Sequence, residues 1–255
     1  VTVWGITEDP NSGFPERNYK TRLFKANRLR FILDPNIRKA VDELKGTNVI
    51  FHIHGGFIPE FYTLSKMLKR AEIPYIITGH GAYNKVAMKR SWWRKRLYFA
   101  LFEKSLVANA RSVHFLGESE KSGLRSIIRK FRYALIPNGQ DKISQTDSID
   151  ISKTEIRFGF CGRLDIHTKG LDLLLKGFSR FVITNSKARL ILIGDGADRE
   201  QLEALSKELG ISDKVEFKGS RFGQEKYDIL ASLDAFFHPS RNEGLPTAVL
   251  EAAAL

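Results

Sequence analysis

A single cysteine, Cys161, stands in a chain of 255 residues. That excludes an internal disulfide and fits work in a reducing compartment. No apolar run approaches the roughly 20 residues a membrane-spanning helix needs, and no signal-peptide pattern opens the chain. Localisation is therefore expected to be cytoplasmic, at most peripheral to the membrane. Internal repeats and low-complexity segments are lacking too. With 42% hydrophobic residues, the chain can bury a good core as one large domain or two ordinary ones. It opens on Val1 inside an apparent strand and stops at Leu255 inside an apparent helix, so a fragment lacking both ends is expected.

Negative charge is scarce in one part. Residues 1–150 carry 26 Lys/Arg against 14 Asp/Glu, whereas residues 151–255 carry 15 against 15, so the net +12 lies wholly in the first part. Such asymmetry points to two domains with different partners, the basic one facing an anionic membrane surface, a phosphorylated acceptor or nucleic acid. Five cations flank Trp92 and Trp93 in Lys89–Arg96. Two readings stand: a membrane-interface patch, or a solvated basic face with its tryptophans packed inward. No nucleic-acid motif appears and the aromatic–basic run is short, so a nucleic-acid partner is not expected.

Short apolar runs alternate with longer amphipathic stretches, the pattern of parallel sheets covered by helices. Strands are expected at Val1–Ile6, Asn48–Ile53, Pro74–Thr78, Arg111–Gly117 and Tyr133–Ile136. Residues 17–45 read as largely helical, interrupted at Asp34-Pro35. The polar stretch Gln140–Thr154 marks a boundary, giving domains 1–150 and 151–255. Beyond it, strands are expected at Ile156–Cys161, Ala188–Ile193, Val215–Lys218 and Ala235–His238, with helices between.

Polar and glycine residues at the C-terminal ends of such strands are where open α/β sheets bind ligands. His54 and His80 fall on that edge in the first domain. His52 and His54 share one side of a strand, but no third ligand is placed, so no metal is expected. In the second domain, Arg163 and Lys169 lie in one strand-to-helix connection, where two cations can converge on a diphosphate. Gly194-Asp195-Gly196 lacks the third glycine of the dinucleotide fingerprint, Arg199 standing there, and an NAD site is rejected. The last eighteen residues read as a loop, then a helix beginning near Pro246. Seven residues separate Glu243 from Glu251, a span of about 12 Å at helical rise. That suits a nucleotide-sugar, with one carboxylate at the ribose, the other at the sugar, and backbone N–H groups between them for the pyrophosphate.

His-x-His-Gly at 52–55, the segment Pro74–Gly81 ending Thr-Gly-His-Gly, Ile-Pro-Asn-Gly at 136–139, Gly-Arg-Leu-Asp-x3-Lys-Gly at 162–170, Gly-Asp-Gly at 194–196 and Glu-x7-Glu at 243–251 occur in one order. Together they resemble the retaining nucleotide-sugar-dependent glycosyltransferases of family 4. The resemblance implies a GT-B fold: α/β, two Rossmann-like domains with parallel sheets facing across a cleft. It also implies that Arg163 and Lys169 hold the donor diphosphate and neutralise the leaving nucleotide without a metal. Glu251 would bind the ribose, and Glu243 the transferred sugar, helped by the N–H groups of Gly244 and Leu245. His80 would contact the donor sugar from the first domain. His114, His167 and His238 receive no catalytic role, and no cofactor is expected. The implied partners are a nucleotide-sugar and a glycan, polysaccharide precursor or lipid-linked acceptor. The alternatives are a non-catalytic sugar- or anionic-surface-binding relative, a nucleic-acid-binding protein, and a nucleotide-sugar epimerase of the same architecture.

Overall fold

The computed structural model describes residues 1–11, 18–89, 91–143, 155–241 and 243–255. It divides into two compact units, Val1–Pro137 and Asn138–Leu255. Most of the polar stretch in which the sequence places the domain boundary, and Arg90 and Asn242 within the motifs above, lie outside the described residues.

In the first unit, β1 (Thr2–Thr7) and β2 (Lys20–Lys25) pair in parallel. This corrects the helical reading of 17–45. The short segment is drawn into a strand by its apolar pair: Phe24 is buried and lies 5.1 Å from the ring of Trp4, which meets Phe51 edge-on at 5.0 Å. The flanking Lys20 and Lys25 stay exposed. Asp34-Pro35 does not interrupt a helix but starts one, Pro35–Glu43. The Asp34 carboxylate accepts from the Asn36 N–H at 2.8 Å, and Pro35 occupies the first turn, where its missing donor is not needed.

A four-stranded parallel sheet follows, β3 (Phe51–His54), β4 (Tyr75–Thr78), β5 (Ser112–Phe115) and β6 (Tyr133–Leu135), in sequential order. Ile53, Ile77, Val113 and Phe115 are buried in its core, and helix Pro59–Arg70 crosses over from β3 to β4. Between β4 and β5 run helices Lys85–Lys89 and Trp92–Tyr98, a π-helical turn Phe99–Glu103, and helix Lys104–Asn109. Phe99, Glu103, Leu106 and Val107 form its buried face. Trp92 and Trp93 are 58% and 56% exposed, so the tryptophans do not pack inward.

The second unit holds β7 (Arg157–Cys161), β8 (Arg189–Ile193), β9 (Val215–Gly219) and β10 (Ala235–Phe236), all parallel, in the order β10-β7-β8-β9. The apolar run of β8 is buried on both faces, as a central parallel strand requires. Leu190 and Leu192 pack with Leu171, Leu175 and Phe178 of helix Leu171–Phe181, while Ile191 and Ile193 pack with Leu230 of helix Gly223–Ala231. The chain leaves β7 toward β8 and returns to pair β10 on the other side of β7. Connections diverge at such a reversal, opening a crevice beyond the strand ends.

Candidate active site

The floor of that crevice is backbone. Gly162, directly after β7, donates its N–H to Ile193 O at 2.9 Å, and Leu164 donates to Asp195 O at 3.0 Å. A Cβ on Gly194 would lie 1.9 Å from Gly162 O, and one on Gly196 would lie 2.4 Å from Leu164 O. Glycine lets these two loops touch. The Gly194-Asp195-Gly196 motif therefore serves loop contact here.

Lys169 ends a one-turn helix, Ile166–Lys169, capped by Asp165, whose carboxylate accepts from Thr168 N–H at 2.8 Å. That bond, against the opposing effect of burial, holds the Asp165 carboxyl below the usual range, with a further contribution from Arg163. Gly170 then turns with φ +66°, and a Cβ there would lie 2.3 Å from Pro239 O. The loop after β10 is thereby laid against the Lys169 turn. Arg241 fastens it: its guanidinium grips Asp172 through two 2.9 Å bonds and donates to Ile166 O at 2.8 Å, and its N–H donates to Thr168 O at 2.8 Å.

This strap delivers Glu243 to Lys169, and the two form an ion pair. The Glu243 carboxylate also meets His238 Nε2 at 3.1 Å and accepts from Ser240 Oγ at 3.0 Å. Burial alone would raise its pKa, but the bonds from His238, Lys169 and Ser240 outweigh it and bring it down to about 2. Glu243 is thus a fixed anion, with the Lys169 ammonium fixed beside it. His238, given no catalytic role from the sequence, orients Glu243. Its ring stacks between Phe160 and Phe236, at centroid distances of 6.0 and 6.3 Å.

Arg163 stands apart from this cluster, its side chain 71% exposed and 4.0 Å from Asp165. Gly244 and Leu245 follow Glu243 in the loop, and Pro246 caps helix Thr247–Ala253. Glu251 lies on that helix and accepts from Lys226 Nζ at 2.7 Å, both side chains being about 85% buried. Lys226 comes from helix Gly223–Ala231. Sequence reasoning missed it because no spacing links a helix lysine to a carboxylate 25 positions away.

In the first unit, neighbouring strands gather the histidines. His54 at the end of β3 and His80 just beyond β4 share a 2.8 Å bond between Nδ1 and Nε2, His80 being held in the left-handed region at φ 49°. Beside them His52 Nε2 meets Thr78 Oγ1 at 2.6 Å. Thr78 Oγ1 in turn lies 2.9 Å from His114 Nδ1, whose Nε2 donates to Ile136 O at 2.7 Å. Burial, then the nearby His54, His114 and His80, lower the His52 pKa to about 4. Among the described residues no group of three or more His, Cys, Asp or Glu is placed to hold a metal ion.

Residues 1–142 match the profile of Glycosyltransferase Family 4, and residues 141–255 that of Glycosyl transferases group 1. EpsF of Bacillus subtilis, described as a glycosyltransferase, is 25% identical over 249 residues, 92% of this chain and 62% of its own. The gpi3 subunit of phosphatidylinositol N-acetylglucosaminyltransferase from Schizosaccharomyces pombe is 29% identical over 136 residues, 53% of this chain and 30% of that one. The chain thus spans less than two thirds of these curated relatives. HepE from Anabaena, solved in complex with UDP, superposes with a TM-score of 0.69 at 19% identity, covering 92% of this chain and 65% of that one. Sucrose-phosphate synthase from Thermosynechococcus elongatus superposes at 0.73 with 17% identity over 98% of this chain and 68% of that one. At these identities the structures speak for the fold, two Rossmann-like α/β domains of the GT-B type. The profile covering more than half of the residues decides the family: the chain belongs to Glycosyltransferase Family 4.

Proposed function

We propose that the protein is a retaining glycosyltransferase that moves a sugar from a nucleotide-sugar to a hydroxyl of a glycan, polysaccharide precursor or lipid-linked acceptor. The observation that carries this reading is the Lys169–Glu243 pair, braced by His238 and Ser240, at the reversal between β7 and β10 in a chain of this family. The ammonium of Lys169 and the exposed guanidinium of Arg163 receive the donor diphosphate. Charge that builds on the leaving phosphate is neutralised by cations already in place, so the step needs no metal. Glu243, anionic at any physiological pH, accepts hydroxyl hydrogen bonds from the transferred sugar, with the N–H groups of Gly244 and Leu245 beside it. Glu251, steadied by Lys226, accepts from the ribose. His80, held by His54, contacts the donor sugar. The bond from the anomeric carbon to phosphate oxygen breaks, and a bond to the acceptor oxygen forms on the same face. The acceptor's proton passes to the leaving phosphate. The reading extends to a cytoplasmic location, at most peripheral to the cytoplasmic face of a membrane. No helix among the described residues is long and apolar enough to cross one, and the positive charge of the first part suits an anionic surface.

HepE was solved with UDP, which makes UDP the first nucleotide to test, followed by GDP and ADP. Calorimetry and thermal shift of the full-length protein are expected to find one nucleotide that binds with EDTA present. At a hundredfold over its Kd it should add about 2.7 kcal/mol of stability, and binding should weaken in Lys169→Ala, Arg163→Ala and Glu251→Ala. A folded protein that binds none of them refutes the transferase reading. Alteration of the donor sugar with no transfer to any acceptor would favour the epimerase.

A further inference from the structure

We propose that the outward face of helix Trp92–Tyr98 and its π-helical continuation is a docking surface for an anionic lipid bilayer. This deepens the reading above, and rests on it for what the surface brings to the enzyme, a lipid-linked acceptor.

Trp92, Trp93, Leu97 and Leu101 are 58%, 56%, 55% and 57% exposed, four large apolar side chains within ten residues. Trp93, Leu97 and Leu101 recur every fourth position and so share one side of the helix, while Phe99 and Glu103 are buried on the other. Large apolar side chains left exposed along one helix edge in this way mark an interaction site. The segment that carries it has one sign of charge. Between Glu72 and Glu103 the chain carries six Lys/Arg and no Asp or Glu. The guanidinium of Arg94 lies 5.1 Å from the Trp93 ring and that of Arg96 lies 5.9 Å from the Trp92 ring, placing both cations beside the indoles. Lys95 is the exception, turned inward to donate to Ala87 O at 2.5 Å, which ties this helix to helix Lys85–Lys89.

Indoles settle at headgroup depth, leucines reach the acyl boundary, and arginines meet lipid phosphates. A second copy of this chain would oppose the same row of cations with its own. Nucleic acid would use the arginines but leave Leu97 and Leu101 with no apolar counterpart. An anionic bilayer satisfies both the apolar side chains and the cations beside them.

The test is co-sedimentation of the full-length protein with vesicles of phosphatidylcholine containing about a third phosphatidylglycerol, set against pure phosphatidylcholine. UDP binding is followed in parallel. Binding is expected to the anionic vesicles, weaker with salt, and to be poor on the neutral ones. Trp92→Ala with Trp93→Ala should weaken it at least about tenfold by removing buried apolar area. Arg94→Gln and Arg96→Gln should each weaken it about fivefold and flatten its salt dependence. Nucleotide affinity should not change in any of these variants. A folded, nucleotide-binding protein that stays in the supernatant overturns the proposal. So does a double tryptophan variant that sediments like the parent, or one that turns a dimer into a monomer while the parent ignores vesicles. Vesicle binding without nucleotide binding would instead refute the donor site and leave the docking surface standing.

Discussion

Replacing Lys169 by alanine tests whether the ion pair at the heart of the site is electrostatic in origin. Glu243 ionises at about 2, against an ordinary 4.5. A folded-state pKa below the unfolded one contributes stability that is present above about 4.5 and lost as the pH falls toward about 2. Unscreened, such a depression corresponds to about 3 kcal/mol. The Glu243 side chain keeps 24% of its surface in water, and screening there reduces the figure to about 1–2 kcal/mol. His238 and Ser240 supply part of that depression and remain in the variant, so at about pH 7 Lys169→Ala is expected to destabilise the second unit by about 1 kcal/mol, or about 3–6 °C in its melting temperature. The deficit should shrink as the pH falls from about 4.5 to about 2, because protonated Glu243 no longer distinguishes ammonium from methyl. In a Glu243→Gln background the same substitution should cost less than about 0.5 kcal/mol, since the charge it answers is gone. Scanning calorimetry of the four proteins across that pH range decides the matter. A deficit as large at pH about 2 as at pH 7 would refute the reasoning and trace the loss to packing of the lysine's aliphatic stem.

Two further substitutions probe the scaffold. Gly170→Ala places a Cβ 2.3 Å from Pro239 O at a φ of +66°, so left-handed strain and overpacking should together cost about 2–4 kcal/mol in urea unfolding; an unchanged midpoint would show that the strap yields. Tyr83→Phe removes the 2.6 Å bond from a fully buried hydroxyl to the buried carboxyl of Glu103. A loss of about 1–3 kcal/mol by the same assay is expected, and no loss would show that the carboxyl finds another donor.

Most of the α/β alternation was legible because parallel strands write themselves as short apolar runs. Arg189–Ile193 and Tyr75–Thr78 needed little more. Lys20–Lys25 was not legible: its apolar content is one adjacent pair among cations, and what makes it a strand is the distant ring of Trp4. Sequence put Lys169 in a strand-to-helix connection, which the structure winds into the one-turn helix Ile166–Lys169, and Glu243 in a loop after another strand of the same unit. It could not see that they touch each other. The contact depends on Arg241 gripping Asp172, 69 residues away, and on a glycine packed against Pro239 O. Nor could it separate exposed from inward tryptophans in Lys89–Arg96. Which side of a helix faces the core is set where its later residues, Phe99 and Leu106, find their packing.

The strand that carries Glu243 to its partner is two residues long. β10 pairs with β7 through Ala235 and Phe236 alone, flanked by the Asp234 N–H to Arg157 O and Phe237 N–H to Gly159 O bonds of 2.8 and 2.7 Å. Lys169 and Glu243 are 74 residues apart in sequence, so their meeting closes one of the longest loops in the unit and is favoured only once β7, β8 and β9 have assembled. The free energy of opening should therefore be graded across one sheet. Amides of β8 should exchange with solvent only on global unfolding, while those of β10 exchange through a detachment that leaves the remaining strands paired. The site would then be the last part of the unit to form and the first to come undone.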